Sequence, residues 1–168
     1  MQRVLILGSP GLGKSTFARK LSAKTGLPII YLDRYYNDSS LGYEHDINAW
    51  EDMIHTRMRE KRWIMDGNYS STITERIERA DIVILFDYPR WRAFLGLLRR
   101  RIEYHTATRV DMPDGWRERF GWKFTKYVWS YSRRFPTGKL AAALRVCPAE
   151  KLVVFRSPKD PKEYLSAM

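Results

Sequence analysis

The sequence predicts an α/β domain built on a parallel sheet, because short apolar runs alternate along the chain with segments of helical periodicity. The runs are β-branched or aromatic, and each ends near glycine, aspartate or proline, which is typical of buried central strands. Strands and helices that alternate in this way are joined by right-handed crossovers. The five predicted strands are Val4–Leu7, Ile29–Leu32, Trp63–Met65, Ile82–Phe86 and Leu152–Phe155.

The first half of the chain carries three helical patterns. Ser15–Lys24 follows the first strand, and Asp46 is placed to cap a second helix. Thr72 and Glu75 have the spacing of a capping box at the start of a third. Apolar residues recur at helical spacing, namely Ile47, Trp50, Ile54 and Met58 in the second helix and Ile77 and Ala80 in the third.

The second half is predicted to be mostly helical. Pro89 suits the first turn of a long helix, an aromatic helix over about 115–135 follows, and an alanine-rich one covers 139–145. Because 89–145 is too long for one crossover, we expect it to form a helical insertion over the sheet edge, within a single domain spanning 1–168. The apolar stripe of the long helix consists of Trp91, Phe94, Leu95, Leu98 and Ile102.

The composition is that of a folded domain in a reducing compartment. The 168 residues are 44% hydrophobic and 14% aromatic, which provides one core and argues against disorder. Cys147 is the one cysteine, so no disulfide can form within the chain. No apolar run approaches the roughly 18 residues of a membrane-spanning helix, and the short apolar start does not predict a targeting segment. We therefore expect a cytoplasmic protein.

The net charge of +11 lies entirely in residues 89–168, and most of it in 89–145. That stretch holds 14 Lys/Arg against 4 Asp/Glu, with 11 aromatic residues interleaved. A basic aromatic patch attracts polyanions such as nucleotides, phosphorylated metabolites or nucleic acid. A solvated basic face over an aromatic core is an equally consistent interpretation.

The motif that carries chemistry follows the first strand and reads Gly8-Ser9-Pro10-Gly11-Leu12-Gly13-Lys14-Ser15-Thr16. It matches G-x-x-x-x-G-K-[ST], the phosphate-binding loop, between a strand and a helix as that motif requires. Its glycines let backbone N–H groups point at phosphate oxygens, and the helix start adds its positive dipole. We expect Lys14 to reach the β- and γ-phosphates of ATP, and the Ser15 hydroxyl to bind Mg²⁺.

A magnesium–triphosphate site also needs an acidic residue at the carboxyl end of a neighbouring strand. Asp66 and Asp87 both follow apolar strands. We favour Asp66 as the metal ligand, because Gly67 permits close backbone approach, whereas Asp87 could instead cap a helix. Asp33 follows the second strand, so it should face the cleft, where it could bind an acceptor hydroxyl and take its proton. A turn aspartate paired with Arg34 is the alternative for Asp33.

Arginines of the second half are candidates for neutralising the charge that spreads over a transferred phosphoryl group. Arg99 and Arg101 lie on the long helix, and Arg109 follows in a looser stretch that could be a hinge or the tip of a lid. Each could also be a plain surface residue. Lys159 follows the last strand, where a loop could cover the nucleotide base. The three histidines lack the spacing of metal ligands.

Together these residues resemble one family. The segments 8–16, 31–33, 63–69, 86–91, 99–101, 108–112 and 156–159 are similar to those of bacterial DNA topology modulation proteins, which are similar to adenylate kinases. The resemblance covers nearly the whole chain. Its most particular parts are Asp66-Gly67-Asn68-Tyr69 and the stretch around Arg109 and Asp111.

The resemblance implies a three-layer P-loop fold of the nucleotide-kinase type, with a five-stranded parallel sheet in the order 2-3-1-4-5 and a helical lid insertion. In that order the strand ending at Asp66 lies beside the phosphate-loop strand. Adenylate kinases carry Asp-Gly-Phe-Pro-Arg where this chain has Asp66-Gly67-Asn68-Tyr69-Ser70, so the arginine that grips the acceptor phosphate is missing, which disfavours a nucleoside monophosphate. Asp33 stands where the similar shikimate and gluconate kinases hold the acceptor hydroxyl.

The leading prediction is a kinase that transfers the γ-phosphate of Mg-ATP to a small acceptor, a nucleoside or another hydroxyl compound. A different hypothesis is an ATP-dependent nucleic-acid-associated protein that influences DNA topology, because the basic stretch 89–145 is rich in aromatic residues. The helical spacing of its first aromatic residues counts against that hypothesis, since they are then needed in the core. A nucleotide-binding module without turnover is the third interpretation.

Overall fold

A central parallel sheet organises the computed structural model, which describes residues 1–103, 111–113 and 138–168, with side chains of the first range described up to 100. Its strands are β1 Arg3–Gly8, β2 Ile29–Tyr31, β3 Trp63–Asp66, β4 Ile82–Phe86 and β5 Leu152–Phe155. Their spatial order is β2-β3-β1-β4-β5, and every neighbouring pair is parallel. The predicted fold class and strand order are confirmed.

Helices connect the strands and cover both faces of the sheet. They are α1 Lys14–Thr25, α2 Leu32–Tyr36, α3 Ile47–Met58, α4 Ile73–Arg79, α5 Arg90–Glu103, α6 Lys139–Arg145 and α7 Asp160–Ser166. Short 3-10 turns at Ser70–Thr72 and Ala149–Lys151 precede α4 and β5. In the described ranges, no helix combines the length and the apolar character needed to cross a membrane.

The strands divide their side chains between two core layers, because successive residues of a strand point to opposite faces. Leu5 and Leu7 of β1 pack in the layer that includes α3, α4 and α6. Val4 and Ile6 pack in the other layer, with Phe17 of α1. Both faces of β1 are thus buried, which explains its uninterrupted apolar sequence. The residues that follow the carboxyl ends of the strands meet at one edge, where ligands of such sheets bind.

Of the two predicted helix caps, one is confirmed and one is wrong. The Asp46 carboxylate caps α3 by accepting hydrogen bonds from the backbone N–H groups of Asn48 and Ala49. Thr72 precedes α4 as predicted, but its side chain makes no capping hydrogen bond. Its hydroxyl oxygen instead accepts a hydrogen bond from Arg76 Nε at 3.2 Å, so the predicted capping box does not form.

Helix α5 turns a different face to the domain than its apolar stripe predicts. Ala93 and Leu97 are buried, whereas four residues of the predicted stripe are exposed, namely Trp91, Phe94, Leu95 and Leu98. The periodicity identified the helix but not its buried side, because small residues permit a closer approach than large ones. The Ile102 side chain and the predicted helix over 115–135 lie outside the described residues.

The buried side of α5 contacts the phosphate loop through two glycines. A Cβ added to Gly96 would lie 1.8 Å from the carbonyl oxygen of Gly11. A Cβ added to Gly11 would lie 2.4 Å from the carbonyl oxygen of Ala93, and the φ of Gly11 is +84°. Both distances are far inside van der Waals contact, so only glycine fits at either position. The pair fixes how closely α5 approaches the loop.

Gly96→Ala is expected to destabilise the protein although alanine is the better helix former. Alanine in place of glycine adds about 1 kcal/mol of helix stability, but here the methyl group forces α5 off the loop. We expect a net loss of about 1–3 kcal/mol in the free energy of unfolding, measured by urea denaturation. Leu98→Ala, at an exposed position of the same helix, is the control and should change it by less than about 0.5 kcal/mol. Unchanged stability of Gly96→Ala would contradict the close packing.

Candidate active site

One cleft at the carboxyl edge of the sheet brings together most of the residues predicted to carry chemistry. Its volume is about 1050 Å³, which has room for a nucleotide and a small second ligand. The phosphate loop from Pro10 to Thr16, Asp33 and Asp66 all line it. The first two residues of the motif lie outside the lining, since Gly8 ends β1 and Ser9 is buried.

Ser15 and Asp66 meet at the bottom of the loop. The Ser15 hydroxyl donates a hydrogen bond to Asp66 Oδ2 at 2.7 Å. The register of the sheet brings them together, because Asp66 is the last residue of β3 and pairs with Ile6 of the neighbouring β1. Asp66 Oδ1 is buried and accepts no hydrogen bond among the described residues. The Ser15 hydroxyl oxygen and the Asp66 carboxylate are oxygen ligands of the kind that Mg²⁺ prefers.

The electrostatics of Asp66 point to the same use. Burial raises the pKa of Asp66 to about 6, and the negative charges of Asp33 and Asp111 contribute to the rise. The Lys14 ammonium and the hydrogen bond from Ser15 oppose it. A buried carboxyl group with a raised pKa is typical of a functional site. A cation bound beside it would favour the ionised form.

Lys14 lies in the loop as the motif predicts. Its ammonium donates a hydrogen bond to the Ser9 carbonyl oxygen at 3.1 Å. Lys14 opens α1, directly after Gly13, so the positive end of the helix dipole and the lysine charge belong to the same stretch of the cleft lining. This arrangement can hold a polyphosphate.

Asp33 lines the cleft from the first turn of α2, directly after β2. It is exposed, and its Oδ1 accepts a hydrogen bond from the Tyr69 hydroxyl at 2.9 Å. The alternative pairing with Arg34 is not among the ion pairs of the described residues. Burial and the charge of Asp33 raise the pKa of Tyr69, so its hydroxyl stays protonated and remains a donor.

The structure gives a role to Asn68, which the sequence pattern left without one. Asn68 Nδ2 donates to the Gly8 carbonyl oxygen at 2.9 Å, and Asn68 Oδ1 accepts from the Gly8 N–H at 3.0 Å. Both polar atoms of the side chain are thus used on the first residue of the phosphate loop. Tyr69 packs against Trp50 and Tyr36, with ring centroids 4.7 and 5.2 Å away. The sequence did offer a signal for these roles, because Asn68 and Tyr69 are polar residues that closely follow Asp66 at the end of β3.

The remaining predicted residues are placed differently. Arg99 is exposed and lines the cleft, while the Arg101 side chain and the whole of Arg109 lie outside the described residues. Asp87 is exposed and does not line the cleft, so the competing choice of metal ligand loses its support. Lys159 is also exposed and outside the lining, although its neighbour Pro158 lines the cleft, as do Pro161 and Lys162 at the start of α7.

Comparison with solved structures finds kinases that share this arrangement of strands and helices. Shikimate kinase from Bacteroides thetaiotaomicron matches with a TM-score of 0.57 and 14% identity, over 99% of this chain and 95% of that chain. Deoxyadenosine kinase from M. mycoides with bound dATP matches with a TM-score of 0.56 and 15% identity, over 99% and 98%. The fold is that of the P-loop nucleotide kinases. No protein-family model matches the chain, and no curated protein matches it either.

At these identities the P-loop kinase fold is what the similarity shows. The same deoxyadenosine kinase with dCMP and dCDP bound matches with a TM-score of 0.55 and 16% identity, over 98% of this chain and 94% of that chain. The three-layer arrangement that the sequence resemblance implied is therefore present. The resemblance to DNA topology modulation proteins stays a prediction.

Asp66→Asn is expected to stabilise the metal-free protein at pH 7. The carboxyl has a pKa of about 6 in the fold against an ordinary value of 3.8, so its ionisation lowers stability as the pH rises from about 4 to 6. Asparagine has no such cost, and we expect a gain of about 1–3 kcal/mol at pH 7 that shrinks towards pH 4. Urea denaturation in EDTA at the two pH values measures this gain. Asp52→Asn, on the exposed side of α3, is the control, and a gain that does not depend on pH would contradict the buried-carboxylate explanation.

Proposed function

We propose that this chain is a kinase that transfers the γ-phosphoryl group of Mg-ATP to a hydroxyl group of a small acceptor. The observation that carries the proposal is that the phosphate loop, the Ser15–Asp66 pair and Asp33 line a single cleft. A triphosphate on the loop would end near the metal ligands. An acceptor beside Asp33 would share that cleft with the γ-phosphate.

Each of these residues has a distinct part in the transfer. Lys14 and the N–H groups at the start of α1 bind the β- and γ-phosphates. Mg²⁺, held by Ser15 and Asp66, would offset the phosphate charge. Asp33 accepts the proton of the acceptor hydroxyl as that oxygen bonds to the γ-phosphorus. The bond from the γ-phosphorus to the bridging oxygen breaks, and its electron pair leaves with ADP.

Basic residues of the second half complete the proposal. Arg99, which lines the cleft, would neutralise the charge on the transferred phosphoryl group. Arg101 and Arg109 of the predicted insertion 89–145 are proposed to share this role. The loop that contains Lys159 is proposed to cover the nucleotide base. Trp91 and Arg92 line the cleft as well, and the guanidinium lies 4.5 Å from the centre of the Trp91 ring, so both offer flat surfaces to a base.

The acceptor is proposed to be a nucleoside or another hydroxyl compound. Two observations support this class. The segment Gly67–Ser70 contains no Lys or Arg that could hold an acceptor phosphate. Its polar side chains Asn68 and Tyr69 are hydrogen-bonded to Gly8 and Asp33. Proteins of the same fold include enzymes named for deoxyadenosine and for shikimate, and both compounds carry hydroxyl groups.

The alternative function is nucleic-acid-associated ATP turnover that influences DNA topology. It is favoured by the +10 balance of residues 89–145. Stimulation of ATP hydrolysis by DNA, lost steeply with added salt, would be its signature. A small-molecule kinase has no reason to show either property.

Transfer from γ-labelled ATP with Mg²⁺ to a pooled panel of acceptors tests the proposal. The panel contains nucleosides, nucleoside monophosphates, sugars and sugar acids, with a parallel sample containing DNA. We expect label on a nucleoside or another hydroxyl compound and little on monophosphates. Asp33→Asn should lower kcat by about 10²–10⁴-fold, with the KM for ATP changed less than about threefold, because it removes a proton acceptor and not a nucleotide contact.

Two controls accompany the panel. Lys14→Met should abolish transfer, and Asp52→Asn, an exposed carboxylate on α3, should leave it unchanged. Full activity in Asp33→Asn would remove Asp33 from the mechanism. If label appears only as slow phosphate release that DNA accelerates, the kinase proposal is overturned in favour of the alternative.

A further inference from the structure

Arg76 of α4 is a fully buried guanidinium, with 0% of its surface exposed. No carboxylate lies within ion-pair distance of it in the part of the chain that the structure describes. A buried charge without a partner of opposite sign is expensive unless its donors are satisfied by hydrogen bonds. Core packing alone therefore does not account for an arginine at this position.

The guanidinium is used on the backbone of the loop that follows β3. Nη1 donates to the Gly67 carbonyl oxygen at 2.7 Å, and Nη2 donates to the carbonyl oxygens of Asn68 and Tyr69. Nε donates to the Thr72 hydroxyl oxygen, which orients the planar group. Three successive carbonyl oxygens thus converge on one cation.

The backbone of this loop is in a conformation that needs such support. Tyr69 has a φ of +22°, the one positive φ of a non-glycine residue in the described ranges. Gly67 has a φ of +144°, and a Cβ there would lie 2.8 Å from Leu32 Cβ. Strained backbone of this kind persists where surrounding contacts over-determine it. Arg76 supplies those contacts from behind the loop, because it does not line the cleft.

The loop presents two adjacent side chains to the two halves of the cleft. Asn68 makes two hydrogen bonds to Gly8, at the start of the phosphate loop. Tyr69 donates its hydroxyl hydrogen bond to Asp33 on the acceptor side. The position of the phosphate loop relative to the acceptor carboxylate therefore depends on the backbone that Arg76 holds.

We infer that Arg76 is a positioning residue, which sets the distance between the bound triphosphate and the acceptor by clamping the Gly67–Tyr69 carbonyls. The inference depends on the proposed kinase function for its kinetic consequence. The expected displacement of Gly8 when Arg76 is replaced does not depend on that function. A displacement of about 1 Å between reacting groups can cost about 10²-fold in rate without weakening either ligand's binding.

The kinetic test compares three variants of α4. Arg76→Met, similar in length and without the charge, should lower kcat about 100-fold while the KM for ATP changes less than about threefold. Arg76→Lys keeps a donor but not the planar fork, so its kcat should fall between wild type and Arg76→Met. Arg79→Lys is the matched control, because Arg79 is an exposed arginine of the same helix whose one side-chain hydrogen bond among the described residues goes to the Met58 carbonyl oxygen.

Stability separates positioning from a merely structural role. Urea denaturation of the same variants gives the unfolded fraction of each, and the fall in kcat of the Arg76 variants should be much larger than that fraction accounts for. The double variant Asn68→Ala with Arg76→Lys should lose little more kcat than the worse single variant, because both act through one contact. If kcat falls only in proportion to the unfolded fraction, or the two effects multiply, the inference is overturned.

A readout without turnover keeps this test independent of the proposed function. The amide proton of Gly8, hydrogen-bonded to Asn68 Oδ1, is expected to shift in the ¹H–¹⁵N spectrum of Arg76→Lys without nucleotide, and to stay in place in Arg79→Lys. If Arg76→Lys fails to fold, Thr72→Val removes only the hydroxyl that orients Nε and should shift the same resonance relative to wild type, which Arg79→Lys does not. An unmoved Gly8 amide in a folded Arg76 variant overturns the inference. A moved amide with no transfer to any acceptor supports the clamp and counts against the kinase.

Discussion

The pairing of β3 with β1 is the constraint on which the rest of the site depends. It places Ile6 opposite Asp66, so β3 ends two residues before β1 runs into the phosphate loop. Ser15, at the start of α1, then falls within hydrogen-bond distance of the carboxylate. A slip of one residue would turn Asp66 to the other face of the sheet. The same slip would exchange close-packed side chains between the two core layers, so core packing and site geometry are set by the same register.

Much of the fold could be predicted from the sequence, because its strong signals are local. The strands are apolar runs, the phosphate loop is a contiguous motif, and Asp46 caps α3 as its position suggests. Asp66 was identified by its place at a strand end. The strand order came from the resemblance to a family, since parallel strands give no sign in their own residues of which neighbour they take. These features depend on periodicity and on short spacing.

The parts that could not be predicted depend on contacts between distant residues. Thr72 and Glu75 have the spacing of a capping box, but the Thr72 hydroxyl is used by Arg76. Arg76 itself falls on the apolar face of α4, with Ile73 and Ile77, where an arginine is the anomaly that the pattern could have revealed. The buried side of α5 is set by Gly96, which has no hydrophobicity to signal it. In each case the local structure depends on a polar or small residue, namely Arg76 or Gly96, and the pattern of large apolar residues does not reveal it.

The contact between Gly11 and Gly96 has a consequence for how such a chain can change over time. Any side chain at position 96 collides with the loop backbone, so mutational drift there is blocked unless the loop is rebuilt at the same moment. Leu98, which is exposed and does not line the cleft, meets no such barrier. Divergence among descendants of this chain would therefore collect at positions of α5 that face neither the loop nor the cleft. Glycine would be retained at position 96 for as long as the loop keeps its present backbone.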